Sequence, residues 1–158
     1  MVEFVRSLLA EGHQVMFLKG EATYDQVVID DVVAELRASG VDLSGRIVDF
    51  PMATVEELVD ALAHCHVVVA SRFHNVLIGY MLGRPILGLS YQAKTDSLMA
   101  EFGQTRYCRP IGHTTADELL SLVTELLTNE GAQDDWASIV RGKREELDRQ
   151  YDRIFKAS

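Results

Sequence analysis

The chain has 158 residues, and its hydrophobic share of 47% and charged share of 25% exclude disordered and collagen-like proteins. Its length predicts a single domain over residues 1–158, since compact domains typically run to about 100–150 residues. With 15 Lys and Arg residues against 24 Asp and Glu residues, the net charge of −9 excludes a broad electrostatic surface for nucleic acid. An anionic ligand therefore needs a local cationic pocket.

Hydrophobic spacing predicts short helices and strands that alternate along the first half of the chain. The clearest strand is 67–70, Val-Val-Val-Ala, because a continuous apolar run is typical of a strand buried on both faces. Thr54 with Glu57 forms a capping box that opens a helix. In chain order we expect a helix over 1–12, a strand at 15–18, a helix from Val28 that stops near Gly40, a strand at 47–50, a helix at 54–62 and the strand at 67–70.

The second half continues this alternation of helices and strands. We expect a helix at 74–82, a strand at 85–89, a helix at 95–102, an edge strand at 105–108, a helix opened by a Thr115–Glu118 capping box, a polar break at 129–134 and a terminal helix over 134–158. The pattern predicts the α/β class, with a Rossmann-like, mostly parallel sheet flanked by helices. Ligands of such sheets bind beyond the carboxyl ends of the strands, in the loops that follow them.

The strongest candidate loop is 71–75, Ser-Arg-Phe-His-Asn, which follows the clearest strand and opens a helix. Ser71 is a candidate N-cap, and a helix amino terminus with its free N–H groups favours phosphate or carboxylate. Arg72 adds a bidentate fork for such anions, and His74 adds a proton donor. The alternative is that Arg72 pairs with a surface carboxylate and that His74 bonds to the backbone.

The loop 90–94, Ser-Tyr-Gln-Ala-Lys, follows the neighbouring predicted strand. Adjacent parallel strands would bring Lys94 toward Arg72 and His74, and a lysine at a helix start is otherwise disfavoured by the helix dipole. Tyr91 either lines the same pocket or simply packs.

Other polar loops carry weaker signals. Lys19-Gly20-Glu21 and Pro51-Met52 also follow predicted strands, but solvated loops explain them. His64-Cys65-His66 spans a helix end and a strand start, where neighbouring side chains point to opposite faces and seldom ligate one ion. We therefore expect no metal site.

The cysteine content and the apolar segments indicate the cellular compartment of the protein. Cys65 and Cys108 are too few for a disulfide framework and are typical of a reducing compartment. The first residues lack the basic and apolar regions of a secretory signal. The apolar stretch at 76–89 is interrupted by Arg84 and Pro85 and is too short for a membrane span. We expect a cytoplasmic protein, with attachment at the inner face of the membrane left open.

Three segments together resemble the signature of polysaccharide pyruvyl transferases. They are Val-Val-Val-Ala-Ser-Arg-Phe-His at 67–74, Gly-Arg-Pro-Ile at 83–86 and Ser-Tyr-Gln-Ala-Lys at 90–94. In that family a valine-rich strand, an Arg-hydrophobe-His motif, a Gly-x-Pro turn into a strand and a Ser-Tyr-x-x-Lys motif follow one another. The close match covers residues 67–103, and the order of elements on either side resembles the family's carboxyl-terminal half more loosely.

The resemblance implies one half of a GT-B-like architecture, the half that binds the donor. It implies a transferase that moves a pyruvyl group from phosphoenolpyruvate, as a ketal, to a sugar of a cell-surface or exopolysaccharide, with phosphoenolpyruvate as substrate and no cofactor. By the same resemblance, Arg72 binds the phosphate or carboxylate of phosphoenolpyruvate, His74 protonates its methylene carbon and Lys94 is a further anion contact. The implied site thus has Arg72 and His74 as catalytic residues and, for substrate binding, Ser71, Arg72, Phe73, His74, Asn75, Tyr91 and Lys94, with no metal.

Two other functions remain open. A GT-B glycosyltransferase half or a sugar-nucleotide epimerase half uses the same architecture, although the sequence near Arg72 lacks the acidic residue or glycine-rich turn of nucleotide sites. The second open function is that of a non-catalytic fragment, which binds an anion or a partner without turnover. The expected partners are phosphoenolpyruvate and a saccharide acceptor but no nucleic acid, while a homodimer and a membrane-linked polysaccharide assembly stay open.

The order of elements predicts a gap in the sheet. A carboxyl-terminal half of this family is expected to place a strand before the helix at 1–12, and in a sheet of order 3-2-1-4-5-6 that first strand is central. Without that central strand, backbone N–H and C=O groups of the strands beside it have no hydrogen-bond partners. We therefore expect a sheet that re-pairs its neighbouring strands or recruits a second copy, in a chain that is inactive, or nearly so, without an amino-terminal half.

Overall fold

The computed structural model describes residues 1–19, 22–48, 50 and 54–155. Helices and strands alternate along these residues, as the hydrophobic spacing predicts. In chain order they are α1 (Val2–Ala10), β1 (Val15–Met16), α2 (Ala22–Ala38), β2 (Ile47–Val48), α3 (Val55–Ala63), β3 (Val68–Ala70), α4 (Phe73–Met81), β4 (Ile86–Ser90), α5 (Ala93–Glu101), a 3-10 turn (Thr105–Tyr107), β5 (Cys108–Pro110), α6 (Ala116–Thr128) and α7 (Glu130–Phe155).

The strands form two parallel sheets rather than the single sheet that was predicted. β1 pairs with β2, with Val15 opposite Ile47, while β3, β4 and β5 pair in that order, with Val69 opposite Leu87. Within the described residues β1 does not pair with β3, so the expected re-pairing of neighbouring strands is not found there, and the alternative of a second copy stays a prediction. Residues of both β1 and β3 line one cavity.

Helices flank these sheets and build two apolar cores. α1 contacts α2 and α6, whereas α4 contacts α3 and α5. Phe4 and Leu8 of α1 pack into the larger core around β3 and β4, and Val5 and Leu9 pack into the smaller core beside β1 and β2. α1 therefore contributes buried side chains to both cores.

Two helix starts confirm predicted caps. Thr54 Oγ1 accepts a hydrogen bond from the Glu57 N–H at 3.2 Å, and a carboxylate oxygen of Glu57 accepts one from the Thr54 N–H at 3.0 Å, so the capping box is complete. At α6, Thr115 Oγ1 accepts a hydrogen bond from the Glu118 N–H at 3.2 Å. These bonds satisfy N–H groups that lack partners within the helix.

Two predicted boundaries are wrong in the carboxyl-terminal part. The strand expected at 105–108 is a 3-10 turn followed by β5, because pairing with β4 places Cys108 opposite Gly88 and so sets the register. The polar break expected at 129–134 shrinks to Asn129, since α7 already begins at Glu130. Among the described helices, none offers the long apolar run that a bilayer crossing requires.

Candidate functional site

The candidate site lies where β3 and β4 end side by side. Ser71 and Arg72 connect β3 to α4, and Tyr91 and Gln92 connect β4 to α5. Because β3 and β4 are paired neighbours in parallel register, their carboxyl ends share one edge of the sheet. The structure therefore brings the two sequence motifs to the same edge, as predicted.

The start of α4 differs from the prediction in its cap. Arg72, not Ser71, is the N-cap residue, and it makes no side-chain capping bond. The Arg72 carbonyl accepts hydrogen bonds from the N–H groups of Asn75 at 3.1 Å and Val76 at 3.2 Å. Within the described residues the N–H groups of Phe73 and His74 have no acceptor, so the first turn of α4 keeps two donors that an anion can use.

Arg72 is held by an acidic residue that the sequence analysis did not find. Its Nη2 atom donates to both carboxylate oxygens of Asp25, at 2.7 and 2.9 Å. The two residues are 47 positions apart, so local sequence could not reveal the pair. The sequence feature that pointed to Asp25 was its place as the acidic residue in the first turn of α2. The alternative considered for Arg72, an ion pair, is thus present. However, its side chain stays 42% exposed and open to a ligand.

Phe73 links the two motifs. Its ring meets the His74 ring edge-on, with centroids 5.7 Å apart and an interplanar angle of 87°, and Lys94 Nζ lies 5.4 Å from the centroid of the same ring. In the described part of the chain, neither the His74 ring nitrogens nor the Lys94 ammonium takes part in a hydrogen bond or ion pair. Both side chains therefore keep their hydrogen-bonding capacity at this edge of the sheet.

The remaining candidate residues differ in exposure. Asn75 is buried, at 9% exposed, and borders a cavity of about 820 Å³ together with Ser71, Arg72 and Asp25. Tyr91 is 57% exposed and borders a separate pocket of about 460 Å³ with Asp96 and Cys108. Asn75 and Tyr91 thus face different spaces, so the structure does not bring all seven candidates into one pocket.

Cys108 is a potential nucleophile in the smaller pocket, but its environment suppresses the thiolate. Burial, together with a hydrogen bond from Sγ to the Asp96 carboxylate at 3.3 Å, raises the pKa of Cys108 to about 11. Because only the thiolate reacts, an increase of about two units leaves about 100-fold less reactive sulfur near pH 8. Cys108 is therefore not placed to act as a nucleophile.

Alkylation with iodoacetamide at pH 8 is expected to modify Cys108 about 100-fold more slowly in the folded chain than in the chain unfolded in urea. Site-resolved mass spectrometry separates this thiol from Cys65, whose pKa burial also raises. The Asp96→Asn variant, which removes the acceptor charge, should react faster than the parent. Equal rates in the folded and unfolded parent would show that this environment does not control the thiol.

The His64-Cys65-His66 segment takes part in ending α3. His64 is the C-cap residue, and its Nδ1 atom lies 2.7 Å from the Asp60 carbonyl oxygen, while Cys65 Sγ donates to the Ala61 carbonyl at 3.4 Å. Among the described residues, no three His, Cys, Asp or Glu side chains lie together so that they could hold a metal ion.

Comparison with known proteins gives one match. A sequence model of the family described as polysaccharide pyruvyl transferase matches residues 2–93, which include α1 to α4 and the Arg72-Phe73-His74 motif. No curated protein and no solved structure matches the chain.

Proposed function

The chain belongs to the polysaccharide pyruvyl transferase family, and from this membership we propose that it binds the donor phosphoenolpyruvate for pyruvyl transfer to a sugar. The observation that carries the proposal is the set of cationic groups at the adjacent starts of α4 and α5. Arg72, His74 and Lys94 belong to these starts, in a chain whose net charge of −9 makes such a cluster unusual. Phosphoenolpyruvate carries a phosphate and a carboxylate, the anions for which these groups are suited.

We also propose that the chain is the donor-binding half of a GT-B-like enzyme. Supporting this, β1 pairs with β2, while β3, β4 and β5 pair in that order, and residues of β1, β2, β3 and β4 line one cavity. An amino-terminal half would then supply the facing wall of the cleft and the acceptor site. On this view the chain alone turns over little or no substrate.

Donor binding requires a change of partner at Arg72. In the structure the Asp25 carboxylate occupies the guanidinium group, and a phosphate or carboxylate of the donor replaces one or both of those bonds. The N–H groups of Phe73 and His74 and the ammonium of Lys94 add further donors. Asp25 thereby positions Arg72 before the donor binds and takes no part in the reaction.

The proposed reaction starts at His74. Its imidazolium gives a proton to the methylene carbon, whose double-bond electrons form the new C–H bond and leave the central carbon electrophilic. A sugar hydroxyl adds to that carbon and returns a proton to His74. A second hydroxyl of the same sugar then forms another C–O bond to the central carbon as the bond to the phosphate oxygen breaks. Its proton leaves with the phosphate, so the products are a cyclic pyruvate ketal and inorganic phosphate.

A nucleotide-sugar half is the second candidate, and Asp25 favours it. The structure places an acidic side chain beside Arg72, and nucleotide sites commonly use an acidic residue to bind ribose hydroxyls. A glycosyltransferase or epimerase half would therefore bind a uridine nucleotide at the same edge of the sheet.

Calorimetric titration separates these candidates. Phosphoenolpyruvate is expected to bind the chain at least about 10-fold more tightly than uridine diphosphate, since the described cluster matches a small dianion with a carboxylate. Tighter binding of the uridine nucleotide would overturn the proposal in favour of the second candidate. Binding of neither ligand would also reject it and leave a partner-binding domain.

Replacing Lys94 by alanine is expected to weaken phosphoenolpyruvate binding by about 3- to 10-fold, because an exposed ammonium contributes a modest charge-assisted contact. The dissociation constant from calorimetry measures the effect. Lys143→Ala is the matched control, as this lysine lies on α7 and pairs with Glu146. Equal dissociation constants for the Lys94 and Lys143 variants would place Lys94 outside the site.

We place the enzyme in the cytoplasm, where phosphoenolpyruvate is available to it, with the inner face of the membrane as the site of polysaccharide assembly. The saccharide acceptor is then a lipid-linked or growing sugar chain. No metal or other cofactor enters this scheme.

A further inference from the structure

The smaller pocket lies at the carboxyl end of β4, on the side away from β3. Pairing places Ser90 of β4 opposite Pro110 of β5, so this pocket opens at the same sheet edge as the candidate site, one strand further along. Its volume of about 460 Å³ falls within the range of about 300–1,000 Å³ that is usual for small-molecule sites. Its described lining includes Tyr91, Gln92, Asp96, Thr105, Cys108 and Pro110. We infer that the smaller pocket binds a neutral sugar ring.

The charge of the pocket does not match an anion such as phosphoenolpyruvate. Among its described lining residues, Asp96 carries the one full charge, and that charge is negative. A metal ion is also poorly matched, since no trio of His, Cys, Asp or Glu side chains gathers anywhere in the described part of the chain. The ligand that fits these walls is therefore uncharged and polar.

The polar side chains of the pocket have unused hydrogen-bonding capacity. Cys108 Sγ donates to one carboxylate oxygen of Asp96 at 3.3 Å, which leaves the other oxygen as an acceptor. Within the ranges that the structure describes, the side chains of Gln92 and Thr105 make no hydrogen bond or ion pair. Gln92 and Thr105 can each donate and accept, whereas the carboxylate only accepts. Sugar hydroxyls, which also donate and accept, match this combination.

Tyr91 supplies a flat apolar surface beside these polar groups. It is 57% exposed, although it directly follows β4, whose five residues are all buried. Ser90 Oγ donates to the Gln92 carbonyl at 3.2 Å and so helps to hold the turn that carries Tyr91. An exposed aromatic ring gives a large contact area at a low cost in conformational entropy. The C–H face of a sugar ring can pack on Tyr91 while its hydroxyls reach the polar side chains.

The first turn of α5 separates this pocket from the proposed donor site. Lys94 Nζ lies 5.4 Å from the centroid of the Phe73 ring on one side, and Asp96 contacts Cys108 on the other. Side chains two positions apart on a helix point to nearly opposite sides, so the two sites do not overlap.

The spacing of the two sites suits an acceptor chain of more than one sugar. Neighbouring strands lie about 4.8 Å apart, which is close to the width of a sugar ring. The smaller pocket is therefore placed to bind a sugar next to the one that receives the pyruvyl group. That this sugar belongs to the acceptor rests on the proposed function, whereas sugar binding rests on the side chains of the pocket alone.

NMR titration tests the inference with three probes, the methyl glycosides of glucose, galactose and mannose. We expect at least one of them to shift the Gln92, Asp96 and Thr105 amides along one saturable curve. Tyr91→Ala should weaken that binding by about 10-fold, because it removes the aromatic contact. Tyr151→Ala is the matched control, since Tyr151 is 58% exposed but lies on α7, and it should leave the dissociation constant unchanged.

Two further measurements use the same shifts. Asp96→Asn should weaken sugar binding by about 3-fold, because an amide oxygen is a poorer acceptor than a carboxylate. Saturation of the chain with phosphoenolpyruvate should not displace the sugar, because the first turn of α5 lies between the two sites.

The absence of a saturable shift with all three glycosides would overturn the inference, as would equal losses in the Tyr91 and Tyr151 variants. Displacement of the sugar by phosphoenolpyruvate would also overturn it, since both ligands would then share one site. Sugar binding by a chain that does not bind phosphoenolpyruvate would reject the proposed function and leave the sugar site in place. The two failures are therefore distinguishable.

Discussion

Replacing Arg72 by alanine is expected to weaken phosphoenolpyruvate binding by about 30-fold or more. A bidentate guanidinium contact to an anion contributes about 2–3 kcal/mol, and each 1.4 kcal/mol changes the dissociation constant tenfold. The change also removes the positive charge beside the Asp25 carboxylate, whose side chain is 25% exposed. Repulsion between that carboxylate and the donor adds to the loss. Calorimetric titration of both proteins measures the ratio.

Arg106→Ala is the matched control for this experiment. Arg106 also pairs with a carboxylate, since its Nη2 atom lies 2.8 Å from Glu125, but it precedes β5 and so lies toward the amino ends of the strands. Its removal should leave the dissociation constant within about 2-fold of the parent, because exposed ion pairs contribute little. Comparable losses in the two variants would mean that net charge, not the position of Arg72, attracts the ligand.

Replacing Tyr80 by alanine is expected to lower the melting temperature by about 10 °C. Tyr80 is fully buried in α4, its ring stacks on Phe102 at a centroid distance of 4.3 Å, and its hydroxyl donates to Met99 Sδ at 2.6 Å. Removing a buried aromatic side chain lowers the free energy of unfolding by about 3–5 kcal/mol. In a chain of this size, each kcal/mol lost lowers the melting temperature by about 2–4 °C. Since α4 carries the Arg72-Phe73-His74 motif at its start, loosening α4 should also weaken donor binding.

Met81→Ala is the control for that loss of packing. Met81 is the next residue of the same helix but is 60% exposed, so its truncation should change stability by less than about 0.5 kcal/mol. Thermal unfolding followed by circular dichroism measures both variants. A Met81 effect as large as that of Tyr80 would show that helix propensity, rather than the contacts with Phe102 and Met99, determines the stability of α4.

The sequence predicted those parts of the fold that depend on local periodicity. The helices from α1 to α6 and the strands β1 to β4 follow from apolar spacing and caps. The two candidate motifs meet at one sheet edge because paired parallel strands end together. The family, too, was predicted from residues 67–94 and is confirmed over residues 2–93.

Features that depend on distant contacts were not predictable in this way. The Asp25 carboxylate belongs to a separate helix, 47 positions from Arg72 in the sequence. It accepts a hydrogen bond from the Arg72 guanidinium, which local sequence alone would assign to a ligand. The N-cap is Arg72 rather than Ser71. Pairing with β4 sets where β5 begins, so the local β-propensity at 105–107 did not decide the structure there. In each case a tertiary contact outweighs a local preference.

The central claim is that the starts of α4 and α5 form one anion site for phosphoenolpyruvate. Amide chemical-shift mapping by NMR during titration with phosphoenolpyruvate tests it most directly. We predict that the Phe73, His74 and Lys94 amides shift together along one saturable binding curve, while the amide of Arg106, toward the amino ends of the strands, stays in place. Shifts confined to other parts of the chain, or shifts at these amides only with uridine diphosphate, would contradict the account.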